Sequence, residues 1–549
     1  MKPTHVAALA LLAPVPTAAA QDWVVQPLVL EGDSIPGSSD VVTEIVEVVI
    51  NDALDWRVHV DSDGLAPDHD GYVLGPAGVQ LQEGQALLPL GAVLQEVDGI
   101  DLTGDGDLVS VLDLAGGSLN PGGLYVDAAP LALNGSPSTA VGFAAGASYY
   151  QFVHAEAADN GDVLAYVITQ DPTHGVSLTA ELVRFLTDGS GTLLAEIAVF
   201  GQFDTIPGTG AHVEYFGVGD TLDVNDTGSW LLLVNTDLAT GQDTMLLQDS
   251  AVVAQEGQPS PVAGRVWADL HGSTFSLNDA GDHALSARLQ GDAATDELIA
   301  VNGVKLVQEG DPVPGLRAFQ FVTFDDSPIS LSDAGEVLWY GRWNEPTFAT
   351  DAGLFLGDEL IVQEGVSLAG GIAIQNLASG DRAFSMSDDG RFVIFTATLG
   401  DGRTGAFLAT PPPSVVQVDG CSSDGTALKH AGGLPTIGDS IDLGYFSPSP
   451  AAGVRLLGMS ADPMLDLLGC GLAVPGIGEL LVGITPPDPW MIPQGAHTGS
   501  GATDVLPLPV LNDLILVGAT LHFQCVYLYA GDPVNPVDLT NGLDVTFGL

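Results

Sequence analysis

Basic residues are scarce in this chain. Lysine and arginine together number 13, against 70 aspartate and glutamate residues, and the formal net charge at pH 7 is −57. Only Lys2, Lys305 and Lys429 are lysines. A surface this negative repels nucleic acid and anionic lipid, so nucleic acid is excluded as a partner. The same charge favours solubility and the binding of divalent cations.

Cysteine is also rare, with Cys421, Cys470 and Cys525 all near the C-terminal end. In an exported protein one pair of these can oxidise. We expect a Cys421–Cys470 disulfide, which could stabilise the fold by about 4 kcal/mol in the chain-entropy model. Other pairings stay open. We expect Cys525, in the strand-like run Leu521–Tyr529, to be a buried thiol.

The common catalytic motifs are missing. The sequence has no G-x-S-x-G elbow, no H-E-x-x-H motif and no P-loop. The histidines of its first 400 residues show no metal-ligand spacing. Acidic residues are so numerous that a carboxylate pair at glycosidase spacing has no diagnostic value. These absences favour a binding or structural protein over an enzyme.

Long apolar runs are absent except at the N-terminus. There a lysine and a histidine precede the apolar run Val6–Val15, and Ala18–Ala20 offers a small-residue cleavage site. The run is too short to span a bilayer. We therefore expect residues 1–20 to be a signal peptide. The mature chain would start at Gln21 and be secreted or held at the cell surface, without membrane insertion.

The first of two recurring phrases is Q-E-G. The last three copies are spaced by 53 and 55 residues, and the fullest copies continue to Pro-Gly, as in Asp33–Gly37 and Asp311–Gly315. Periodic self-similarity of this length indicates a repeat architecture. The glutamates of the phrase are Glu31, Glu83, Glu256, Glu309 and Glu364.

The second phrase, N-D-x-G, keeps the same period. The clear copies are Asn225–Gly228, Asn278–Gly281, Ser332–Gly335 and Ser387–Gly390, and weaker copies are Asn51-Asp52, Asp105-Gly106 and Asp159–Gly161. We count seven units between residues 22 and 412. Asp or Asn accepts backbone N–H bonds in a tight turn, and Gly takes the positive φ that follows. The phrase therefore predicts a turn. A calcium site in some of these loops is the alternative.

The repeats predict the fold. Each unit holds four short strand-like runs, and four strands repeated about seven times are typical of a β-propeller. The run Trp23–Leu30 is of the third-strand type and Gly405–Ala409 of the second-strand type, so both termini can complete one blade. We predict an all-β protein with a β-propeller of about seven four-stranded blades over residues 21–410. An open solenoid, or six or eight blades, is the alternative.

A different domain is expected after the repeats. Residues 411–414, three prolines and a serine, form a stiff linker. Residues 415–549 contain strand-like runs, among them Val454–Gly458 and Leu480–Ile484, which suggest a small β-sandwich.

The Q-E-G-D-x-x-P-G and N-D-x-G phrases resemble those of uncharacterised secreted bacterial proteins whose repeats are predicted to form propellers. The resemblance covers residues 22–412. The segment with Gly469-Cys470-Gly471 and Asn541-Gly542-Leu543 is similar to a C-terminal accessory domain of secreted bacterial proteins. The resemblance implies a propeller and export, and it implies no catalytic residues.

Two acidic segments are candidate calcium sites. In the better one, alternate residues can aim oxygens inward and Gly106 permits the bend, as in D-x-[DN]-x-[DN]-G loops. Leu112 stands where an EF-hand requires glutamate, so the loop is not an EF-hand. The residues of this first candidate are Asp101, Thr103, Asp105 and Asp107, and those of the second are Asp61, Asp63, Asp68 and Asp70.

Ligand-binding residues can also be predicted from the repeats. Equivalent positions of a propeller lie on one face, so the five Q-E-G glutamates could form an acidic ring that binds cations or sugar hydroxyls. The alternative is that each caps a strand and faces water. Sugar sites need exposed aromatic rings, and Trp343, in a loop-like stretch, is the tryptophan we expect to be exposed.

These features favour a secreted binding or structural protein whose loops present a surface to an extracellular glycan or surface protein. The alternative is a polysaccharide hydrolase or lyase on a propeller scaffold, and a third possibility is a passive component of the cell envelope. The fold alone does not choose among them. The oligomeric state stays open.

Overall fold

The computed structural model describes residues 23–549, except 65–69, 88–91, 116–121, 171, 173–177, 190, 218–221, 419–426, 448, 450, 462–471, 475–477, 483–489, 498–502, 513–515 and 531–536. The described residues form 43 β-strands and no α-helix. Among them no helix is long and apolar enough to cross a membrane.

The first half of the repeat region forms blades 1–3, preceded by β1 (Val24–Leu30), which joins the last blade. Blade 1 contains β2 (Val42–Ile50), β3 (Trp56–Ser62), β4 (Gly71–Gly75) and β5 (Gly78–Gln82). Blade 2 contains β6 (Ala86–Leu87), β7 (Ala92–Leu102), β8 (Leu108–Ala115), β9 (Gly123–Val126) and β10 (Ala129–Leu133). Blade 3 contains β11 (Ser148–Ala157), β12 (Val163–Gln170), β13 (Thr179–Thr187) and β14 (Leu193–Gly201).

The second half forms blades 4–7. Blade 4 contains β15 (Val213–Phe216), β16 (Leu222–Val224), β17 (Trp230–Thr236), β18 (Thr244–Gln248) and β19 (Ala251–Gln255). Blade 5 contains β20 (Thr274–Leu277), β21 (His283–Arg288), β22 (Glu297–Val301) and β23 (Val304–Gln308). Blade 6 contains β24 (Phe321–Thr323), β25 (Ser330–Leu331), β26 (Val337–Trp343), β27 (Ala352–Leu356) and β28 (Glu359–Gln363). Blade 7 contains β29 (Leu368–Ala369), β30 (Ile372–Leu377), β31 (Phe384–Met386), β32 (Val393–Leu399), β33 (Thr404–Thr410) and β1.

The seven blades close into a ring, which confirms the predicted propeller. Their innermost strands contact one another in the order β2, β7, β11, β16, β20, β25, β31 and again β2. The N-terminal strand β1 pairs antiparallel with β33, from Val24 opposite Thr410 to Leu30 opposite Gly405. This pairing confirms that both ends of the repeat region complete one blade, and it removes two exposed sheet edges.

Apolar side chains on both faces of each sheet hold neighbouring blades together. Strand β17 is buried along its whole length. Its successive side chains point to opposite faces. Leu232 therefore packs toward blade 3, in one cluster with Leu182, whereas Leu231 packs toward blade 5 with Leu285. This double burial explains why the strands read as short continuous apolar runs rather than as alternating ones.

The N-D-x-G turns fasten each blade to the next. As expected for a turn, the Asn278 side-chain oxygen accepts the Asp282 N–H at 2.9 Å, and Gly281 has a φ of 80°. The amide Nδ2 of Asn278, however, crosses to the next blade and donates to the Ser332 carbonyl at 3.0 Å. The equivalent bonds from Asn51 to Thr103 and from Asn225 to Asn278 are 2.9 and 2.7 Å long.

The aspartates of the same turns add further hydrogen bonds between blades. We call these bonds between the N-D-x-G turns of neighbouring blades the belt. In four turns a carboxylate oxygen accepts a backbone N–H of the preceding blade's turn, over 2.7–3.0 Å. Backbone bonds or the Asn amide bridge the other junctions, so all seven are bridged. The bonds run from Asn51 to Thr103, Gly104 to Asp159, Asn160 to Asp226, Asp226 to Asp279, Asp279 to Asp333, Asp333 to Asp388, and Asp389 to Asp52. We call this end of the propeller the turn face.

The C-terminal part forms two packed sheets, the predicted sandwich architecture. Their inner faces share one core that includes Leu443, Tyr445, Phe523 and the buried Cys525. The expected buried thiol is thus confirmed, whereas Cys421 and Cys470 lie outside the described residues. The strands are β34 (Ser414–Val418), β35 (Ala427–Gly432), β36 (Ser440–Phe446), β37 (Gly453–Ser460), β38 (Leu472–Val474), β39 (Gly478–Leu480), β40 (Trp490–His497), β41 (Asp504–Pro509), β42 (Thr520–Tyr529) and β43 (Val537–Thr546). The larger sheet has the order β34-β43-β42-β37-β40 and the smaller β35-β36-β41, with β38 and β39 as a separate pair.

The C-terminal sandwich packs on the turn face of the propeller. The Arg391 guanidinium, beside the turn of blade 7, donates to the Val517 carbonyl at 2.9 Å. Val517 is buried in the apolar cluster that contains Phe392 of blade 7 and Ile50 of blade 1. The contact therefore covers the propeller at blades 7 and 1, at the end opposite the Q-E-G loops.

Replacing the belt residue Asn278 by alanine tests the fastening role of the turns. We expect Asn278→Ala to lower the free energy of unfolding by about 1–3 kcal/mol, because a buried carbonyl and a partly buried N–H lose their partner. Chemical denaturation measures this. Asn376→Ala, which removes an exposed asparagine of β30, is the control and should change stability by less than about 0.5 kcal/mol. Equal effects of both substitutions would contradict the belt.

Candidate functional site

The innermost strands surround a central cavity of about 220 Å³. Its described lining contains one basic side chain, Arg382. The acidic side chains in the lining are Glu47, Asp101, Glu156, Asp159, Asp223, Asp226, Asp279 and Asp388. The cavity is therefore a polar channel with a strongly negative wall, and it is the candidate functional site.

Two of the channel carboxylates fasten neighbouring blades. Asp101 accepts the Leu102 N–H at 2.9 Å and, from blade 3, the Ala157 N–H at 2.7 Å. Asp223 accepts the Val224 and Leu277 N–H groups, both at 2.7 Å. Burial raises the pKa of Asp223 to about 7 despite these bonds, and it raises the pKa of Asp101 far above its usual range. These acids are positioned as structural groups rather than as free reactants.

Arg382 joins three blades across the channel. Its guanidinium contacts the Glu47 carboxylate of blade 1 and lies 2.7 Å from the His154 Nδ1 of blade 3. His154 Nε2 in turn lies 2.5 Å from Glu156 Oε1. A Cβ at Gly99 would lie 2.5 Å from the guanidinium, so glycine at this position leaves Arg382 room to lie where it does.

The backbone of Arg382 has a φ of 57°, in the left-handed region. That conformation costs a residue with a side chain about 1–2 kcal/mol. Strain of this kind persists where the surroundings fix it, often at functional sites. Arg382 is thus held over the channel in a conformation that its own backbone disfavours.

The Q-E-G glutamates do not form the proposed ring. They stand at the ends of the outermost strands of their blades, away from the channel. Glu31, Glu83, Glu309 and Glu364 each accept a backbone N–H, over 2.7–3.1 Å. Glu256 has the same position at the end of β19. These bonds are those of capping groups, although Glu83, Glu309 and Glu364 are buried rather than facing water.

The prediction that Trp343 is exposed is wrong. Trp343 is only 1% exposed, because it is the last residue of strand β26 rather than part of a loop. Its ring packs edge-on against Phe355, 6.2 Å away, and its N–H donates to Glu345 at 3.2 Å. It cannot serve as a sugar platform.

The predicted calcium loop does not gather its oxygens. Both carboxylate oxygens of Asp101 are engaged by backbone N–H groups at the channel wall, whereas the Thr103 hydroxyl accepts the Asp107 N–H of its own turn. Asp105 is exposed, and Asp107 lies near Arg57 and Asp127. Strand β7 runs through Asp101, so its side chain and those of the turn diverge. In the second acidic segment Asp68 lies outside the described residues.

The end of the propeller opposite the turn face carries exposed aromatic side chains. We call this end, formed by the Q-E-G loops and the loops between second and third strands, the open face. Tyr150 of β11 and Tyr215 of β15 are 41% and 44% exposed there. Phe203, before β15, is 44% exposed, and Phe348, between β26 and β27, is 80% exposed.

Phe203 departs from the repeat. Its N–H donates to the Val213 carbonyl, as the Gly32 N–H does to Val42 in blade 1. Six blades have glycine at this place with positive φ, and Phe203 has a φ of 75°. Aligning Asp204–Gly208 with Asp33–Gly37 in the sequence would have revealed this exception. Arg382 carries no such signal, because it matches no repeated phrase.

Comparison with known proteins gives a family but no activity. The family described as "Family of unknown function (DUF7453)" matches residues 127–410, slightly more than half of the chain. Among curated proteins none matches.

Three solved structures show what the chain is similar to in fold. A sialidase of Trypanosoma rangeli has 13% identity and a TM-score of 0.28, over 83% of this chain and 92% of that one. Prolyl oligopeptidase B of Galerina marginata has 10% identity and a TM-score of 0.35, over 75% and 57%. An alpha-L-arabinanase of Penicillium chrysogenum has 11% identity and a TM-score of 0.24, over 70% and 98%. Likenesses this distant imply neither a shared site nor a shared activity.

The buried carboxyls predict an unusual pH dependence of stability. A pKa that is higher in the folded than in the unfolded chain means that the folded chain binds the proton more tightly. The contribution of Asp223 and Asp159, whose pKa values burial raises to about 7, is therefore complete below about pH 4 and lost as the pH rises through 7. We expect the free energy of unfolding to fall by about 1–3 kcal/mol between about pH 5 and pH 8.

Asp223→Asn tests the origin of this slope. The amide cannot ionise, so the pH dependence should become flatter even though one backbone N–H loses its acceptor at every pH. Urea denaturation of the wild type and of Asp223→Asn across this pH range measures how the free energy of unfolding of each depends on pH. An unchanged slope in Asp223→Asn, or a stability that rises toward pH 8, would contradict the assignment.

A double-mutant cycle tests the Arg382–Glu47 pair. Arg382→Ala should lower the free energy of unfolding by about 3–5 kcal/mol, because Glu47 is only 4% exposed and loses its guanidinium. In a Glu47→Gln background the same change should cost less, with a coupling of about 1–3 kcal/mol. A coupling near zero would mean that the pair is not an energetic unit.

Proposed function

We propose that this chain, which belongs to the family of unknown function DUF7453, is an extracellular glycan-binding protein. Its ligand would lie on the open face over blades 3 and 4 and reach the mouth of the channel. One observation carries the proposal. Among the described propeller residues, the four most exposed tyrosine, phenylalanine or tryptophan side chains all lie on the open face: Tyr150, Phe203, Tyr215 and Phe348.

Exposed aromatic rings on one face call for a partner. A soluble protein exposes clustered apolar groups at a cost in solubility, and such clusters mark interaction sites. Tyr150 and Tyr215 lie on the innermost strands of adjacent blades, and Phe203 lies in the loop between those blades. Aromatic rings supply flat apolar contacts to the C–H faces of a sugar, and the tyrosine hydroxyls add hydrogen bonds.

Polar groups that suit sugar hydroxyls stand beside these rings. His271 stacks on Tyr215, with the ring centroids 6.5 Å apart, and its Nδ1 lies 2.7 Å from Asp269. Imidazole and carboxylate groups together donate and accept hydrogen bonds, which is what hydroxyl recognition needs.

The charge of the chain selects the class of glycan. With a net charge of −57, the surface repels anionic polysaccharides such as uronates or sulfated chains. A neutral polysaccharide carries no such penalty. The C-terminal sandwich packs on the turn face, which leaves the open face accessible to a large, insoluble ligand.

Binding is favoured over catalysis by the state of the channel carboxyls. Asp101 and Asp223 each accept two backbone N–H bonds, and Glu47 contacts Arg382. A glycosidase needs two carboxyl groups free to flank the scissile bond. These three channel carboxyl groups hold the ring together instead.

Retention of residues 21–549 on insoluble neutral polysaccharides tests the proposal. We expect selective retention, and about tenfold weaker binding in Tyr150→Ala and in Tyr215→Ala, since an aromatic contact contributes about 0.5–1.5 kcal/mol beyond its buried area. Trp490→Ala is the matched control, because Trp490 is 64% exposed but lies in the C-terminal sandwich. Retention on no polysaccharide, or equal losses in all three variants, would refute the proposal.

Phe203→Gly separates stability from binding. Glycine relieves the left-handed strain, so the free energy of unfolding should stay constant or rise by up to about 1 kcal/mol. Polysaccharide retention should fall. The two measurements are a denaturation curve and the binding assay on the same preparation. A loss of stability without a loss of retention would show that Phe203 serves packing rather than binding.

A further inference from the structure

Each blade carries the same four-residue pattern near the start of its innermost strand, with an apolar residue on either side of two others. Blade 1 has Val42–Ile45, and blade 3 has Tyr149–Phe152. In all seven blades the carbonyl of the first residue accepts a backbone N–H from the loop that leads into the strand, over 2.6–3.0 Å. That loop is the Q-E-G loop or its counterpart. The pattern therefore lies at the open face, where the inner strands surround the mouth of the channel.

Both flanking residues of the pattern are buried in one apolar cluster. Val42 and Ile45 lie in the cluster between blades 7 and 1, and Tyr149 and Phe152 lie in the cluster between blades 2 and 3. The other five blades repeat this arrangement. Side chains three positions apart in a regular strand point to opposite faces of the sheet. Burial of both on one face therefore requires an extra residue, which is a β-bulge.

The pairing of the strands shows this bulge. The register to the second strand shifts between Val42 and Glu44 in blade 1 and between Tyr149 and Gln151 in blade 3. The same shift occurs in blades 2, 4, 6 and 7. In blade 5 the first residue of the pattern, Trp267, forms an isolated bridge instead. Six blades thus carry a bulge at an equivalent place around the mouth.

The two residues between the buried flanks point away from the apolar cluster, because a bulge redirects side chains. In five of the six blades both are exposed, and in blade 6 Val322 is 44% exposed. We call these two residues of a blade its bulge pair. The six bulge pairs are Thr43–Glu44, Gln95–Glu96, Tyr150–Gln151, Glu214–Tyr215, Val322–Thr323 and Gln375–Asn376.

The chemistry of the bulge pairs differs between the two sides of the mouth. Blades 3 and 4 supply the aromatic rings of Tyr150 and Tyr215. Blade 7, which lies opposite them in a ring of seven, supplies two exposed amides, Gln375 and Asn376. Amide groups both donate and accept hydrogen bonds. No bulge pair contains a basic residue, so the mouth has no cation to attract an anionic sugar.

We propose that the bulge pairs are the ligand-contacting residues and that one neutral glycan chain lies across the mouth of the channel. Its sugar rings stack on Tyr150 and Tyr215, and its hydroxyl groups form hydrogen bonds with Gln375 and Asn376. The inference rests on the proposed function and adds to it the path of the chain. Because the aromatic and the amide pairs lie on opposite sides of the mouth, the ligand is a chain of several sugars rather than a single sugar.

Electrophoresis of residues 21–549 through native gels that contain hydroxyethyl cellulose, mixed-linkage β-glucan or galactomannan tests this path. We expect at least one of these soluble neutral polysaccharides to retard the wild type. Gln375→Ala and Asn376→Ala should each weaken the binding by about threefold to tenfold, the loss expected for one hydrogen bond. Gln242→Ala is the matched control, because it removes an exposed glutamine of the loop between β17 and β18, outside the bulge pairs.

The outcomes separate this path from the proposed function. If Tyr150→Ala and Tyr215→Ala abolish retardation but the two amide variants migrate as the wild type does, the protein binds glycans and the path across the mouth is wrong. The path is also wrong if Gln242→Ala binds as weakly as the amide variants, or if free glucose or mannose competes as well as the polymer. Retardation by no polysaccharide would overturn the proposed function and this inference together.

Discussion

The propeller depends on hydrogen bonds that leave one blade and end on the backbone of the next. A ring of seven sheets has no hydrogen-bonded ladder between its blades, so apolar packing alone would leave their angular positions loosely defined. Side-chain amides such as Asn278 Nδ2, and carboxylates such as those of Asp101 and Asp223, bridge this gap at the channel. Because these groups are buried, each bond that is broken exposes an unsatisfied partner. The order of the blades and the shape of the channel follow from them.

The two ends of the propeller differ as a consequence. The turn face repeats almost without exception, since every junction must be bridged, and the C-terminal sandwich packs against part of it. The open face is freer to vary, because Glu83 and Glu309 cap strands within their own blades and only Glu364, among the described Q-E-G bonds, reaches the next blade. The two residues that depart from the regular backbone of the repeats and expose a side chain to the open face or the channel lie away from the belt. Phe203 replaces a glycine and exposes its ring, and Arg382 takes a left-handed backbone over the channel.

Much of this fold could be predicted from the sequence, because the repeated turns and the runs at Trp23–Leu30 and Gly405–Ala409 report local geometry. The directions in which side chains point could not be predicted from the sequence. Asp101 looks like a loop ligand in the sequence, yet strand β7 extends through it and turns it to the channel wall. Trp343 ends a strand rather than starting a loop. The Arg382–Glu47 contact joins residues 335 positions apart, and no local pattern reports such a distance.

Amide hydrogen exchange at the turns tests the central claim, that they are fasteners between blades. The N–H groups of Asn160, Asp226 and Asp279 each donate to a carboxylate of the next blade, although these turns lie at the surface. If the belt holds the ring, these amides open only when the propeller unfolds, and they exchange with the same free energy as the buried strand β17. If they exchange freely, as amides of ordinary surface turns do, the blades are held by apolar packing alone and the account is wrong.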